Sequence, residues 1–152
     1  MDPDVARMLA ERACERLIIE YARRVDFGEA SRIAELFVAD GVWTGVDLRL
    51  DGRDAIREWF TEREALDRRV SRHVHTNIAV ELEVGGDRAL AESYLVNYRH
   101  DRRGADRAMP APGDIPKYVG ECRDTFVRTD EGWRFASRDV AVAFVRPRRP
   151  VA

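Results

Sequence analysis

Lysine is almost absent from this chain. Lys117 is the only one among 26 basic residues in 152, so a Schiff-base mechanism has a single candidate, set in a Pro/Gly-rich segment. Cysteine is nearly as scarce. Cys14 and Cys122 stand far apart without CxxC spacing, which argues against a disulfide framework and a thiolate zinc site. No run approaches 18 apolar residues, and the first stretch, MDPDVARMLAERACERL, is charged where a secretory leader would be apolar. We therefore expect no membrane span and a cytoplasmic protein. The formal charge is −2, so no nucleic-acid partner is expected, since such binders need a concentrated basic surface.

What is present reads as one ordinary globular domain, 1–152, with 45% hydrophobic and 36% charged residues. Ala10, Cys14, Leu17, Tyr21 and Val25 recur at helical spacing, with Arg and Glu opposite, which predicts an amphipathic helix over 4–25. Asp2 or Asp4 can cap it, Pro3 suits its first turn, and Gly28 can end it. A short second helix is expected over about 29–38. Asp40-Gly41 reads as a turn into a short strand carrying Val42 and Trp43. A third helix, about 53–68, places Ala55, Ile56, Trp59 and Phe60 on one side.

The period then changes to two. Ile78, Val80, Leu82 and Val84 alternate up to a GGD turn at 85–87, and 89–99 is the return strand. Residues 100–116 form a long aperiodic loop, of a kind that is usually functional or mobile. Two more strands, about 117–129 and 132–145, meet at a DEG turn, and 146–152 is a tail expected to fray. Helices followed by antiparallel strands predict an α+β fold. Three N-terminal helices pack on a curved, mostly antiparallel sheet, which forms a cone with an internal pocket.

This organisation, together with YARRVDFGEASRIAELFVADGVW, GRDAIREWF, RHVHTN and RTDEGWRFASRDV, resembles the SnoaL-like group of the nuclear transport factor 2-like superfamily over roughly 8–142. In site pattern it looks closest to that group's scytalone dehydratase and bile acid 7α-dehydratase-type members. They carry an aspartate after the first helix, a histidine at the start of the first long strand and, in the bile acid enzyme, a tyrosine five residues before the aspartate. Asp26, His73 and Tyr21 match these positions. Asn97 and Cys122 match polar positions inside the cone but depart from the usual residue types. The resemblance also implies a homodimer through the outer sheet face.

Asp26 and His73 can form an acid–base pair in which the carboxylate fixes the imidazole tautomer and the free nitrogen moves a proton. The plainer reading is a helix cap and a surface histidine. Strict alternation sets His73 opposite Ile78 and Val80, so either a bulge intervenes or the face carrying Asn77 lines the cavity. Tyr21 would donate to a substrate oxygen or to the core. Asn97 would contact substrate or make a structural hydrogen bond, Arg99 would contact substrate, and Trp43, Trp59, Phe60 and Cys122 would form the pocket wall. Asp124 is expected to pair with Arg138 across strands.

His73 and His75 share a strand face and could hold zinc with His100, Asp101 or a distant carboxylate, but no clear third ligand emerges, so no metal is assigned. His75 reads as a bystander. The leading expectation is a cofactor-independent dehydratase or isomerase for a hydrophobic, oxygenated, cyclic small molecule, with the 100–116 loop covering the cone. The alternatives are a polyketide or terpenoid cyclase or an epoxide hydrolase on the same cone, or a non-catalytic module like a dioxygenase small subunit.

Overall fold

The computed structural model describes residues 1–149. Helix α1 (Pro3–Asp26) opens at Asp2, whose carboxylate accepts from the backbone N–H of Asp4 and Val5, and Pro3 occupies the first turn. Cys14, Ile18, Tyr21 and Val25 form its buried stripe. The helix stops at Asp26, and Gly28 takes the left-handed conformation (φ +79°) that lets the chain reverse. A 3₁₀ helix, Ala30–Leu36, buries Ala30, Ile33, Ala34 and Leu36. Arg24 fastens it to α1 by bonding the Arg32 carbonyl (2.6 Å) and Glu35 (3.1 Å). Helix α2 (Arg53–Glu64) buries Ile56 and Phe60. Its end comes four residues short of the expected 68.

The described residues hold six strands, two before α2 and four after it: β1 (Phe37–Gly45), β2 (Leu48–Asp51), β3 (Arg69–Leu82), β4 (Arg88–Asp101), β5 (Tyr118–Thr129) and β6 (Gly132–Val145). They form one unclosed sheet in the order β2-β1-β6-β5-β4-β3, antiparallel except for the parallel β1–β6 pair. The architecture is α+β, as the order of elements predicts. Asp40-Gly41 is not a turn. β1 begins at Phe37, which is fully buried and stacks on Phe135 (5.0 Å), and the strand runs through Asp40-Gly41 with a register shift between Phe37 and Val42.

β3 settles which face His73 occupies. The β3–β4 register shifts between Thr76 and Ala79, and Asn77 has φ +51°. This is a bulge, and asparagine tolerates the left-handed region better than most residues. The bulge lets Ser71, His73 and His75 share the inner face with Ile78, Val80 and Leu82, although the two sets are out of phase in sequence.

One end of the sheet, with Ala89, Ala91, Phe126 and Phe135, packs on α1 as the core. The other end stays open as a cavity. The long loop does not cover it. None of residues 102–116 lines the cavity, and Met109–Asp114 instead border a smaller hollow with Val70, Arg72 and Tyr98 on the outer side. Arg102 holds the loop there, being buried and bonded to the Ala108 carbonyl (3.1 Å). The expected tail is tied down at its start, since Arg146 N–H donates to the Lys117 carbonyl (3.0 Å). Residues 150–152 of that tail lie outside the described residues. Among the described residues no helix is long and apolar enough to cross a membrane.

Candidate active site

Asp26 ends α1, where the helix dipole places negative charge, a poor position for a carboxylate. β3 offsets this with three donors. Ser71 Oγ donates to Oδ1 (2.8 Å), the His73 backbone N–H donates to Oδ2 (2.7 Å), and His73 Nδ1 lies 2.7 Å from Oδ1. The Asp26 side chain is only 5% exposed and that of His73 20%. An ionised carboxylate can only accept, so a neutral His73 ring bonded to it carries its proton on Nδ1 and leaves the Nε2 lone pair free. His73 lines the cavity, with Asp26 directly behind it.

The cavity measures about 870 Å³. Tyr21, Trp43, Trp59 and Phe60 make its helix-side wall. Trp43 stacks on Trp59 (5.9 Å between ring centres), and Phe60 meets Trp59 edge-on (4.9 Å). The Trp43 indole N–H donates to the Tyr21 hydroxyl at 3.0 Å. That hydroxyl donates to no protein group among the described residues, so its own proton is available. Burial raises the Tyr21 pKa, against a smaller pull from Arg138 and Trp43, and keeps the phenol protonated.

The sheet side supplies Asn97, opposite His73 in the β3–β4 ladder, and Cys122. Burial pushes the Cys122 thiol up to about 11, so it is a neutral wall group rather than a nucleophile. Arg99 also lines the cavity, but its guanidinium is engaged by Asp101 (2.6 Å). Arg99 and Arg69 hold the Asp101 carboxyl well below the usual carboxylate range despite its partial burial.

Eight of the nine sequence-expected site residues therefore line one cavity, and the ninth, Asp26, stands behind His73 as its partner. Two residues stand closer to the site than the sequence suggested. Arg138 pairs with Asp124 as expected, in a bidentate contact (2.8 and 2.9 Å) with both side chains fully buried. Burial works against its charge, but Asp124 more than offsets that and raises the pKa. Arg138 also lies 4.3 Å over the Tyr21 ring and lines the cavity.

His75 is no bystander. Its ring lines the cavity, Nδ1 is 3.3 Å from Ser93 Oγ, and burial, then Arg138 and His73, push its pKa down to about 2. It is a neutral imidazole beside a second imidazole. Among the described residues, three buried side-chain atoms lack a partner: His75 Nε2, Asn97 Nδ2 and Arg138 Nη1. All three belong to residues of this cavity wall, and such atoms are costly unless something bonds them. Among the described residues no three metal-ligating side chains come together.

No curated protein matches the chain, whereas solved structures do. An NTF2-like protein with a cystatin-like fold from Novosphingobium aromaticivorans is 28% identical, covering 90% of this chain and 83% of its own, with a TM-score of 0.72. A presumed scytalone dehydratase from the same organism gives a TM-score of 0.79 at 22% identity, covering 98% and 94%. LinA gives 0.76 at 17%, covering 97% and 95%. At these last identities the likeness is one of fold. The profile of the SnoaL-like domain family matches residues 6–139, from α1 well into β6. The chain belongs to the SnoaL-like domain family, within the nuclear transport factor 2-like superfamily.

Proposed function

We propose that this chain is a cofactor-independent dehydratase or isomerase acting on a hydrophobic, oxygenated, cyclic small molecule. The observation that carries the reading is the 2.7 Å contact between His73 Nδ1 and Asp26 Oδ1 at the wall of a large, mostly apolar cavity. His73 Nε2 takes a proton from a carbon next to a carbonyl, and Asp26 stabilises the imidazolium that forms. The Tyr21 O–H and Asn97 Nδ2 donate to the substrate oxygen as negative charge gathers on it. Arg138 Nη1 is a third donor at the same wall. In a dehydration the imidazolium returns its proton to the departing hydroxyl, which leaves as water. In an isomerisation it returns the proton to another carbon.

Cyclisation or epoxide opening by a carboxylate-activated water finds less support. Both Asp26 oxygens already accept bonds from Ser71 and His73, and the side chain is almost wholly buried. A non-catalytic module is disfavoured for the same reason, since it has no use for a buried, oriented Asp–His pair beside an open cavity. The presumed scytalone dehydratase among the structural neighbours is consistent with a dehydration.

The test is a screen of cyclic β-hydroxy carbonyl compounds and their conjugation isomers. With a turned-over compound in hand, Asp26→Asn and His73→Ala should each lower the rate on the order of 10²-fold or more. Unchanged turnover in both variants would overturn the reading. We also propose that two copies pair through the outer sheet face, where Val74, Tyr94, Tyr98 and Phe144 are exposed.

A further inference from the structure

The charge around the cavity is lopsided in a way that the acid–base reading does not use. Arg63, Arg69, Arg99, Lys117 and Arg146 all line it, and among the described residues no Asp or Glu does. Topology explains the gathering. Arg69 opens β3, Arg99 lies near the end of β4, Lys117 precedes β5 and Arg146 follows β6, so four strands bring cations to the same open rim. Arg63, in the last turn of α2, faces them from the helix side.

Their counter-ions are too few. Arg69 and Arg99 share the single carboxylate of Asp101. Arg146 reaches Asp114 at 3.3 Å, which Arg149 also engages at 3.0 Å. Arg63 and Lys117 have no carboxylate partner among the described residues. Arg63 Nη2 donates to Ser71 Oγ (3.0 Å), and the Lys117 ammonium lies 5.3 Å from the centre of its neighbour Tyr118's ring. Burial first, then repulsion from Arg69 and Arg99, lowers the Arg63 pKa, with Asp26 and Asp101 only partly offsetting them. A half-buried guanidinium under these conditions gains from a bound anion more than an exposed one would.

Arg63 is also close to the chemistry. It bonds Ser71, Ser71 bonds Asp26, and Asp26 bonds His73. An anionic group on Arg63 would leave the rest of the ligand free to run along the Trp43, Trp59 and Phe60 wall past His73. We propose that Arg63 and Lys117 form an anion subsite at the cavity mouth, so that the substrate is an apolar molecule bearing a carboxylate or a phosphoryl group. This rests on reading the cavity as the substrate site, but not on the identity of the base.

Binding of paired dyes tests it without turnover. The anionic probe is 8-anilinonaphthalene-1-sulfonate and the neutral one N-phenyl-1-naphthylamine. Wild-type protein should bind the anion about tenfold tighter at low ionic strength, the gap narrowing as salt rises. Arg63→Gln should cost the anion about tenfold and leave the neutral dye unchanged. Lys117→Gln, a change outside the core, should act in the same direction and carries the test if Arg63→Gln does not fold.

His73→Gln should change both dyes alike, so a failed base assignment leaves this result intact. Decanoate displacing the anionic dye better than decyl phosphate identifies a carboxylate, and the reverse order a phosphoryl group. Equal affinity for the two dyes, anion affinity unchanged in both charge variants, or decanol competing as well as either acid would overturn the proposal.

Discussion

Asp26 Oδ1 is shared by two donors from one strand, Ser71 Oγ at 2.8 Å and His73 Nδ1 at 2.7 Å. The helix end is thereby stitched to β3, and the imidazole is held with one nitrogen toward the cavity. The tautomer is thus the first property to measure. Nitrogen-15 spectra of the neutral His73 ring should show the proton on Nδ1, and Asp26→Asn should shift the population toward Nε2–H, the form favoured by a free imidazole. An Nε2–H ring in the wild-type protein would contradict the arrangement, because Nε2 could then not act as the base.

His75 gives a pH dependence of opposite origin. Its folded pKa, about 2, lies below its ordinary value of 6.5. Below pH 6.5 the unfolded chain therefore binds a proton that the folded chain refuses, and stability falls as pH falls through that window. The slope is at most about 1.4 kcal/mol per pH unit. Urea unfolding between pH 7 and pH 5 should show a clear decline for the wild type and a shallower one for His75→Gln. Equal slopes would mean that His75 is hydrated in the folded state.

These two histidines also show how far the sequence could be read. Helix α1 and the four long strands were legible because their periodicities are strong, and the Asp26–His73 pair because both match a family pattern. The face of β3 was not, since alternation alone puts His73 out of phase with Ile78. Only the left-handed Asn77 bulge brings them together, and an asparagine in a strand does not announce that conformation. β1 was misjudged because Asp40-Gly41 has turn chemistry, which burial of Phe37 overrode. His75 was discounted for want of a metal partner, although a neutral buried imidazole needs none. Arg138 was placed correctly against Asp124, but that its Nη1 is left buried without a protein partner beside the cavity cannot be seen from register.

The outer sheet face makes a third prediction. Tyr94 is 57% and Phe144 72% exposed there, alongside Val74 and Tyr98. An apolar sheet face of this kind is a natural association surface. Light scattering coupled to gel filtration should give the mass of a dimer, and Tyr94→Lys with Phe144→Lys should give a monomer that still melts cooperatively. A wild-type monomer at tens of micromolar would remove the proposed interface.

Arg138 and Asp124 make the last. Both side chains are fully out of solvent and joined by two hydrogen bonds, and among the described residues neither charge has another partner of opposite sign. Removing one member strands the other, at about 3–5 kcal/mol, whereas replacing both by apolar groups of similar size need cost little. Asp124→Asn should therefore lower the urea midpoint severely, and the double change Arg138→Met with Asp124→Leu should recover most of the loss. If the pair serves stability alone, the double variant should also bind oxygenated ligands as the wild type does. Weaker binding in a fully folded double variant would show that Arg138 Nη1 is kept without a protein partner because the ligand supplies one.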